Sequence, residues 1–318
     1  MVNSNVDALG IIFPNSRDGV VPELVGERLM ASIPFAGRYR MIDFILSSMV
    51  NSGIGNVSII VRKNYHSLMD HLGSGREWDL TRKNGGLNIV PPFAEKTIKV
   101  YNGRLEALAS ILDFLRDQKE KYVVMSDADI AVNFDFSAMI DAHVKSGADV
   151  TMAYTKEKLP EAVLAERQES TEFYYTLTLD EGRVTGMEIN AKEVDETNFS
   201  MGIYVVEREL LIKQITYAYT HGFVNFERDI LMNQLDKLNV QAYCYEGYIA
   251  RITGMKGYFD ENMRLLEEEN LDALFSPSPI YTKIRDDNPT RYITGAKVEN
   301  IMAADGCVIE GEVENSVL

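Results

Sequence analysis

The chain has 318 residues, 46% of them hydrophobic and 25% charged, the balance of a folded globular protein with room for one large domain or two ordinary ones. Its 48 acidic against 32 basic residues give a net charge of −16, which disfavours non-specific contact with nucleic acid or anionic membranes. No apolar run approaches the roughly 20 residues of a membrane span. The first residues, MVNSNVDALG, lack the basic and apolar regions of a signal peptide. The two cysteines, Cys244 and Cys307, are far apart, which points to a reducing cytoplasm rather than a disulfide framework or a zinc site.

Along the chain, Ala8–Phe13 (ALGIIF) is a short apolar strand candidate, and Met41–Val50 carries apolar residues at helical spacing. Val57–Val61 (VSIIV) reads as a buried strand, Leu105–Leu115 as a helix, and Tyr122–Met125 (YVVM) as a strand running into the polar cluster Ser126–Asp129. Met139–Val144 is helical and Ala148–Tyr154 extended, so helices and strands alternate as in a sheet covered on both faces. Tyr174–Leu179 and Arg183–Ile189 flank Asp180–Gly182, a hairpin signal. Gly202–Val206 is a buried strand, Arg228–Leu238 a helix, and Val240–Tyr245 a strand. The acidic run Glu267–Glu269 reads as the solvated face of a helix. The expected fold class is α/β: a Rossmann-like domain over residues 1–275 with a mixed, mostly parallel sheet.

Ser276–Pro279 (SPSP) has the composition of a linker. Beyond it, residues 276–318 form a second unit. From Tyr292 single aliphatic residues alternate with Gly, Asn and Asp, and the tripeptide Val-Glu-Asn recurs at 298–300 and 313–315. That spacing suits the start of a β-solenoid, which is expected to break off mid-pattern at Leu318.

The sequence in Ile33–Gly53, IPFAGRYRMIDFILSSMVNSG, closely resembles the opening segment of ADP-glucose pyrophosphorylases, the glucose-1-phosphate adenylyltransferases. Asn198–Val206 (NFSMGIYVV) resembles that family's sugar-binding strand, and Gly257–Leu265 (GYFDENMRL) the helix after its second metal ligand. The resemblance implies a nucleotidyltransferase domain followed by a left-handed parallel β-helix, a tetrameric assembly, and the reaction of ATP with glucose 1-phosphate to ADP-glucose and pyrophosphate, assisted by Mg2+.

Nucleotidyl transfer needs donors for phosphate, a metal held by carboxylates and an aligned sugar phosphate. By the resemblance, the triphosphate turn falls on Asn15–Val21, where Gly19 is the one glycine and Asp18 adds negative charge. The family's lysine falls on Met30 and its second metal-binding aspartate on Arg251, while Arg28 keeps its place. The first metal ligand corresponds to Asp127 or Asp129, in a cluster that serves equally well as a capped solvated turn. Gly103, Arg104 and Glu106 stand in the sugar segment, Lys192 at the sugar-phosphate lysine, and Ser200, Met201 and Gly202 on the sugar strand. Losses thus gather in the phosphate and metal chemistry while the frame persists. This implies a non-catalytic or weakly catalytic regulatory subunit, of the GlgD type, that partners a catalytic subunit in a cytoplasmic hetero-oligomer of glycogen biosynthesis. Magnesium would then not be bound in the usual way.

Two other functions compete. One is an active enzyme with a rewired site, in which Asp127, Asp129 and Glu106 hold a metal. The other is a module binding a sugar phosphate or nucleotide effector among Arg17, Arg28, Arg38, Arg40 and Arg104, although Arg38 and Arg40 suit ion pairs and surface contacts better. The four histidines show no ligand spacing, and Trp78 suits a nucleotide lid or simple packing.

Overall fold

The computed structural model describes residues 6–83, 85–91, 101, 103–160, 173–191 and 196–318. A nine-stranded sheet runs in the order β5 (Gly86–Val90), β4 (Asn56–Ile60), β1 (Ala8–Phe13), β6 (Tyr122–Asp127), β11 (Thr197–Glu207), β8 (Val150–Glu157), β12 (Val240–Cys244), β10 (Arg183–Ile189), β9 (Tyr175–Asp180). From β5 to β6 all pairings are parallel, as is β8 with β12, whereas β11 is antiparallel to β6, β8 and β9, and β10 is antiparallel to β12 and β9. The sheet is therefore mixed, and only its first half is parallel as expected. The difference arises at β11 and at the β9–β10 hairpin, whose turn residues Glu181 and Gly182 both take positive φ.

Both faces of the sheet are covered, so its central strands are apolar on alternate sides. Leu9, Ile11 and Phe13 of β1 pack with Val123 and Met125 of β6 under α3 (Arg104–Ser110), α4 (Leu112–Asp117) and α6 (Arg208–His221). Ala8 and Ile12 pack with Val124 on the other face, against α1 (Met41–Asn51), α2 (His66–Leu72) and α5 (Phe136–Ser146). The single helix expected over 105–115 is broken at Ile111 into α3 and α4. The helix expected over 228–238 is a π-helical turn, Phe226–Leu231, followed by a 3-10 turn, Met232–Gln234. No motif in the sequence marks α6, and no helix among the described residues is long and apolar enough to cross a membrane.

The PFAGRYRMIDF segment forms a two-residue hairpin, β2 (Pro34–Phe35) and β3 (Tyr39–Arg40), that opens directly into α1. Ala36 and Gly37 supply the positive φ angles of its turn. The hairpin is tied to α7 (Met255–Arg264): Asn262 Oδ1 accepts from the Ala36 N–H at 3.0 Å, and Tyr258 donates to the Pro34 carbonyl at 2.7 Å. Asp43 is wholly buried near the start of α1. It accepts from the Arg40 N–H at 2.9 Å and the Thr282 hydroxyl at 2.6 Å, and lies 2.6 Å from His71 Nε2. Trp78 is buried beside His71 and donates to Ser47 Oγ, which also accepts the Tyr281 N–H. Trp78 is thus a packing residue, and His71 is a satisfied core histidine.

The expected linker is strapped to the domain. Asn133 donates to the carbonyls of Leu274 and Ser278, and Asn51 to that of Pro279. The acidic run lies exposed at the start of α8 (Glu268–Phe275). Beyond the strap, β14 (Arg291–Tyr292) pairs parallel with β16 (Val308–Ile309), and β15 (Lys297–Met302) with β17 (Glu312–Val317). The β15–β17 pairing stacks Val298 on Val313 and Glu299 on Glu314, one repeat of the Val-Glu-Asn tripeptide. Asn300 donates to Asn315 across the stack at 2.9 Å, both residues taking positive φ.

Because Asp43 joins α1, α2 and the strap, Asp43→Ala leaves two buried partners, His71 and Thr282, and the part-buried Arg40 N–H unsatisfied. It is expected to cost about 3 kcal/mol of stability. Thr282→Val, which loses one hydrogen bond, should cost about 1 kcal/mol. Urea denaturation of the two variants checks the order.

Candidate functional site

The strand order reverses between β1 and β6, because the chain moves from β1 outward through β4 to β5 before returning to β6 on the other side. In an α/β sheet such a point leaves a crevice beyond the carboxyl ends of the strands. Phe13 and Asp127, the last residues of β1 and β6, are paired there. A cavity of about 210 Å³ opens above them, lined among others by Ser16, Arg62, Arg104, Asp127, Tyr175 and Glu227.

Asp127 is brought into the cavity by β6 and closed on one side by β11. The β11–β8 register shifts between Ser200 and Tyr204, and Gly202 inside this bulge has φ +69°. A Cβ on Gly202 would lie 2.5 Å from Asp127 Oδ2, so only glycine lets the bulge sit against the carboxylate. Asp127 Oδ1 accepts from Ser16 Oγ at 2.5 Å and from Arg104 Nη2 at 2.6 Å.

Arg104 opens α3, and its side chain is nine-tenths buried. Its other amino group pairs with Glu227, which the π-helical turn turns inward and which also accepts from the Tyr204 hydroxyl at 2.9 Å. The guanidinium lies 4.8 Å from the centre of the Phe13 ring and 5.1 Å from that of Tyr204. Burial would depress the Arg104 pKa, but the Asp127 and Glu227 carboxylates outweigh it and hold the group well above the usual arginine range.

A second buried cluster lies behind the first. Asp129 is ion-paired with Arg17 Nε at 2.8 Å, and burial pushes its carboxyl up although Arg17 and Arg251 pull it down. Arg251 closes β13 (Ile249–Arg251), antiparallel to β7 (Ile130–Val132). It pairs with Glu157 at 3.0 Å and donates to the Ser200 carbonyl at 3.2 Å. Arg17 sits 3.7 Å over the Tyr174 ring and Arg251 4.0 Å over Phe199, and the two rings are 5.6 Å apart. Two adjacent rings are thus flanked by a guanidinium on either side, a favourable arrangement when desolvated.

The turn after β1 is folded onto its own groups. The N–H groups of Asp18 and Val20 donate to the Asn15 and Arg17 carbonyls. Asp18 is buried and accepts from the Met30 N–H and from the Asn15 side chain, both at 2.8 Å. Burial raises the Asp18 pKa against these bonds. Asn15 Oδ1 in turn accepts the Arg62 N–H at 2.8 Å. Met30 itself is fully buried in the apolar cluster around Phe35, Met41 and Phe44.

The chain belongs to the nucleotidyl transferase family. Its residues 27–249 match the family model described as nucleotidyl transferase. It is 32% identical over 316 residues to the glycogen biosynthesis protein GlgD of Bacillus subtilis, covering 99% of this chain and 80% of that protein. It is 35% identical over 320 residues to GlgD of Geobacillus stearothermophilus, with the same coverage. To glucose-1-phosphate adenylyltransferase of Geobacillus stearothermophilus it is 32% identical over 292 residues, 90% of this chain and 73% of that protein. The resemblance seen in IPFAGRYRMIDF therefore extends along the chain.

Of the residues named from sequence, Arg17, Gly103, Arg104, Asp127, Ser200 and Gly202 line the cavity. Asp129 lies behind it, and Met201 points into the core of the opposite sheet face. Neither Arg28 nor Glu106 lines the cavity, and Lys192 lies outside the described residues. Arg38 lies 5.8 Å from the Tyr39 ring centre, and Arg40 donates to Ser67; neither lines the cavity. Sequence reasoning missed Ser16, Arg62, Tyr204 and Glu227. The acid in Asn225-Phe226-Glu227 was the one available signal for the last, and it reaches the site only through the π-helical turn.

Gly202→Ala should push Asp127 away from Arg104 and strain the bulge, lowering stability by about 1–3 kcal/mol. A thermal melt showing no loss would mean that β11 yields at this point.

Proposed function

We propose that this chain is a non-catalytic or weakly catalytic regulatory subunit of a glucose-1-phosphate adenylyltransferase in glycogen biosynthesis, working beside a catalytic subunit. The observation that carries this is the turn after β1. There Asp18 takes the Met30 N–H and the Asn15 amide, and the N–H groups of Asp18 and Val20 close on the turn's own carbonyls. Donors that would have to face a triphosphate are spent inside the chain, and a carboxylate stands among them. The names and near full-length coverage of the GlgD relatives support the same role.

The adenylyl transfer of this family generally uses Mg2+. The residues present do not fit that ion: Asp127 is engaged by Arg104, Ser16 and the β11 bulge, and Arg251 is a cation. Among the described residues no group of three or more His, Cys, Asp or Glu side chains converges on a common point. No step of the chemistry is therefore assigned to this chain through a metal.

We further read residues 1–275 as the transferase-like domain, and the paired strands beyond the strap as the first coils of a left-handed β-helix. The subunit is placed in a cytoplasmic hetero-oligomer, with a tetramer as the expected assembly. Arg62 favours one second function. It lines the cavity, donates to the Tyr101 carbonyl at 3.2 Å and, although it acts electrostatically on Asp18, makes no direct ion pair with a carboxylate among the described residues. A sugar phosphate or nucleotide effector could pair with it.

The purified chain is expected to release pyrophosphate from ATP and glucose 1-phosphate about 10²-fold more slowly than a catalytic relative, or not at all. Co-expressed with the catalytic subunit of its own organism, it should co-purify and alter that subunit's kcat or KM. Full turnover alone, or no complex, would overturn the proposal. For the effector function, Arg62→Ala should abolish calorimetric binding of glucose 1-phosphate or ATP.

A further inference from the structure

We propose that the Arg104 guanidinium is a resident cation that stands in the place of a divalent metal, so that the cavity carries its own counter-cation and refuses metal ions. This rests on reading the cavity as the transferase site. By the resemblance, Arg251 is the cation that stands at a metal-binding aspartate. The structure gives Arg251 another partner: its guanidinium is paired with Glu157 and stacked on Phe199, behind the cavity. Arg104 is the cation that both cavity carboxylates reach.

Three features make Arg104 fit the role of an ion. Its two amino groups meet two different carboxylates, Asp127 and Glu227, which come from separate elements. A guanidinium is a planar, permanently charged fork suited to that double contact. The remaining faces of the acids are also occupied. Ser16 donates to Asp127 Oδ1, the Gly202 bulge closes on Oδ2, and Tyr204 donates to Glu227. A hexahydrated Mg2+, which surrenders water reluctantly, would have to displace a buried, doubly paired arginine to enter.

The positive groups nearby oppose a second cation. Asp129 is paired with Arg17, and Arg251 also acts on it electrostatically. Among the acids lining the cavity, Asp127 and Glu227 hold one cation between them, and that cation is covalently part of the chain. Removing it would leave two buried carboxylates with a space between them, which is the donor set for which hard divalent ions compete.

Mn2+ is the probe, followed by the loss of its free-ion electron paramagnetic resonance signal on titration into the full chain at neutral pH. Uptake that depends on Asp127 is what counts, since an acidic surface attracts the ion weakly elsewhere. The wild-type chain and Asp127→Asn are expected to take up Mn2+ equally weakly. Arg104→Ala should bind Mn2+ roughly tenfold tighter or more, and the added site should vanish in Arg104→Ala, Asp127→Asn. Arg104→Gln, which retains volume and hydrogen bonding, serves if the alanine variant does not fold. Wild-type uptake that Asp127→Asn abolishes would overturn the proposal. A folded Arg104 variant with no added uptake would overturn it as well. Turnover by the isolated chain would sink the regulatory role without deciding this point, because metal uptake is read without catalysis.

Discussion

The doubly paired guanidinium of Arg104 is the constraint around which the crevice is built. It joins the first residue of α3, the last residue of β6 and the π-helical turn, three pieces separated by 23 and 123 positions in the chain. Buried ion pairs are poor sources of net stability, since desolvating the charges offsets most of their attraction. Their effect is on geometry: a charge in low dielectric tolerates no loosening of its partners, so the walls of the cavity are fixed relative to one another. The Phe13 and Tyr204 rings beside the guanidinium add apolar surface that keeps water from competing for it.

The frame around the crevice depends on a different kind of contact. Alternating apolar residues of β1 and β6 feed two cores, and α1 is locked by the buried Asp43 to α2 and to the strap after α8. The hairpin before α1 is held by Asn262 and Tyr258 of α7. These bonds link the PFAGRYRMIDF segment to residues more than 200 positions away, which explains why the segment can keep its form whatever happens at the turn just ahead of it. Packing demands concern volume and hydrogen bonding, and none of them requires a phosphate or a metal.

That separation governs what was legible in the sequence. The strands at 8–13, 57–61, 122–125 and 202–206 stand out because a sheet buried on both faces forces continuous apolar runs. The mixed direction of the sheet did not, since strand polarity is a matter of connection, and the change of direction enters at the β9–β10 hairpin ahead of β11. The Leu105–Leu115 pattern gave helix correctly but hid the break at Ile111, where the apolar spacing persists across two short helices. In the site, Asp127 and Arg104 were visible as residue types out of keeping with their neighbours. Glu227 and Ser16 were not, because each acts through a backbone conformation, a π-helical turn and a tight turn, that no short pattern encodes.

Arg17, Arg104 and Arg251 illustrate how such a crevice can be rewired without unfolding. Each buried carboxylate at it meets a guanidinium from the same chain, Asp129 with Arg17 and Asp127 and Glu227 with Arg104, and the half-buried Glu157 nearby meets Arg251. An enzyme using exogenous ions must leave acids exposed and undercommitted until its ligands arrive, at a cost in stability. Here that cost is removed by supplying the cations internally, with arginine rather than lysine because its fork satisfies two acceptors and stacks on Tyr174 and Phe199. The same pairs that occupy the acids stiffen the crevice. In the proposed regulatory role that stiffness is an advantage, whereas an enzyme that must close around a triphosphate would lose the mobility that closure requires.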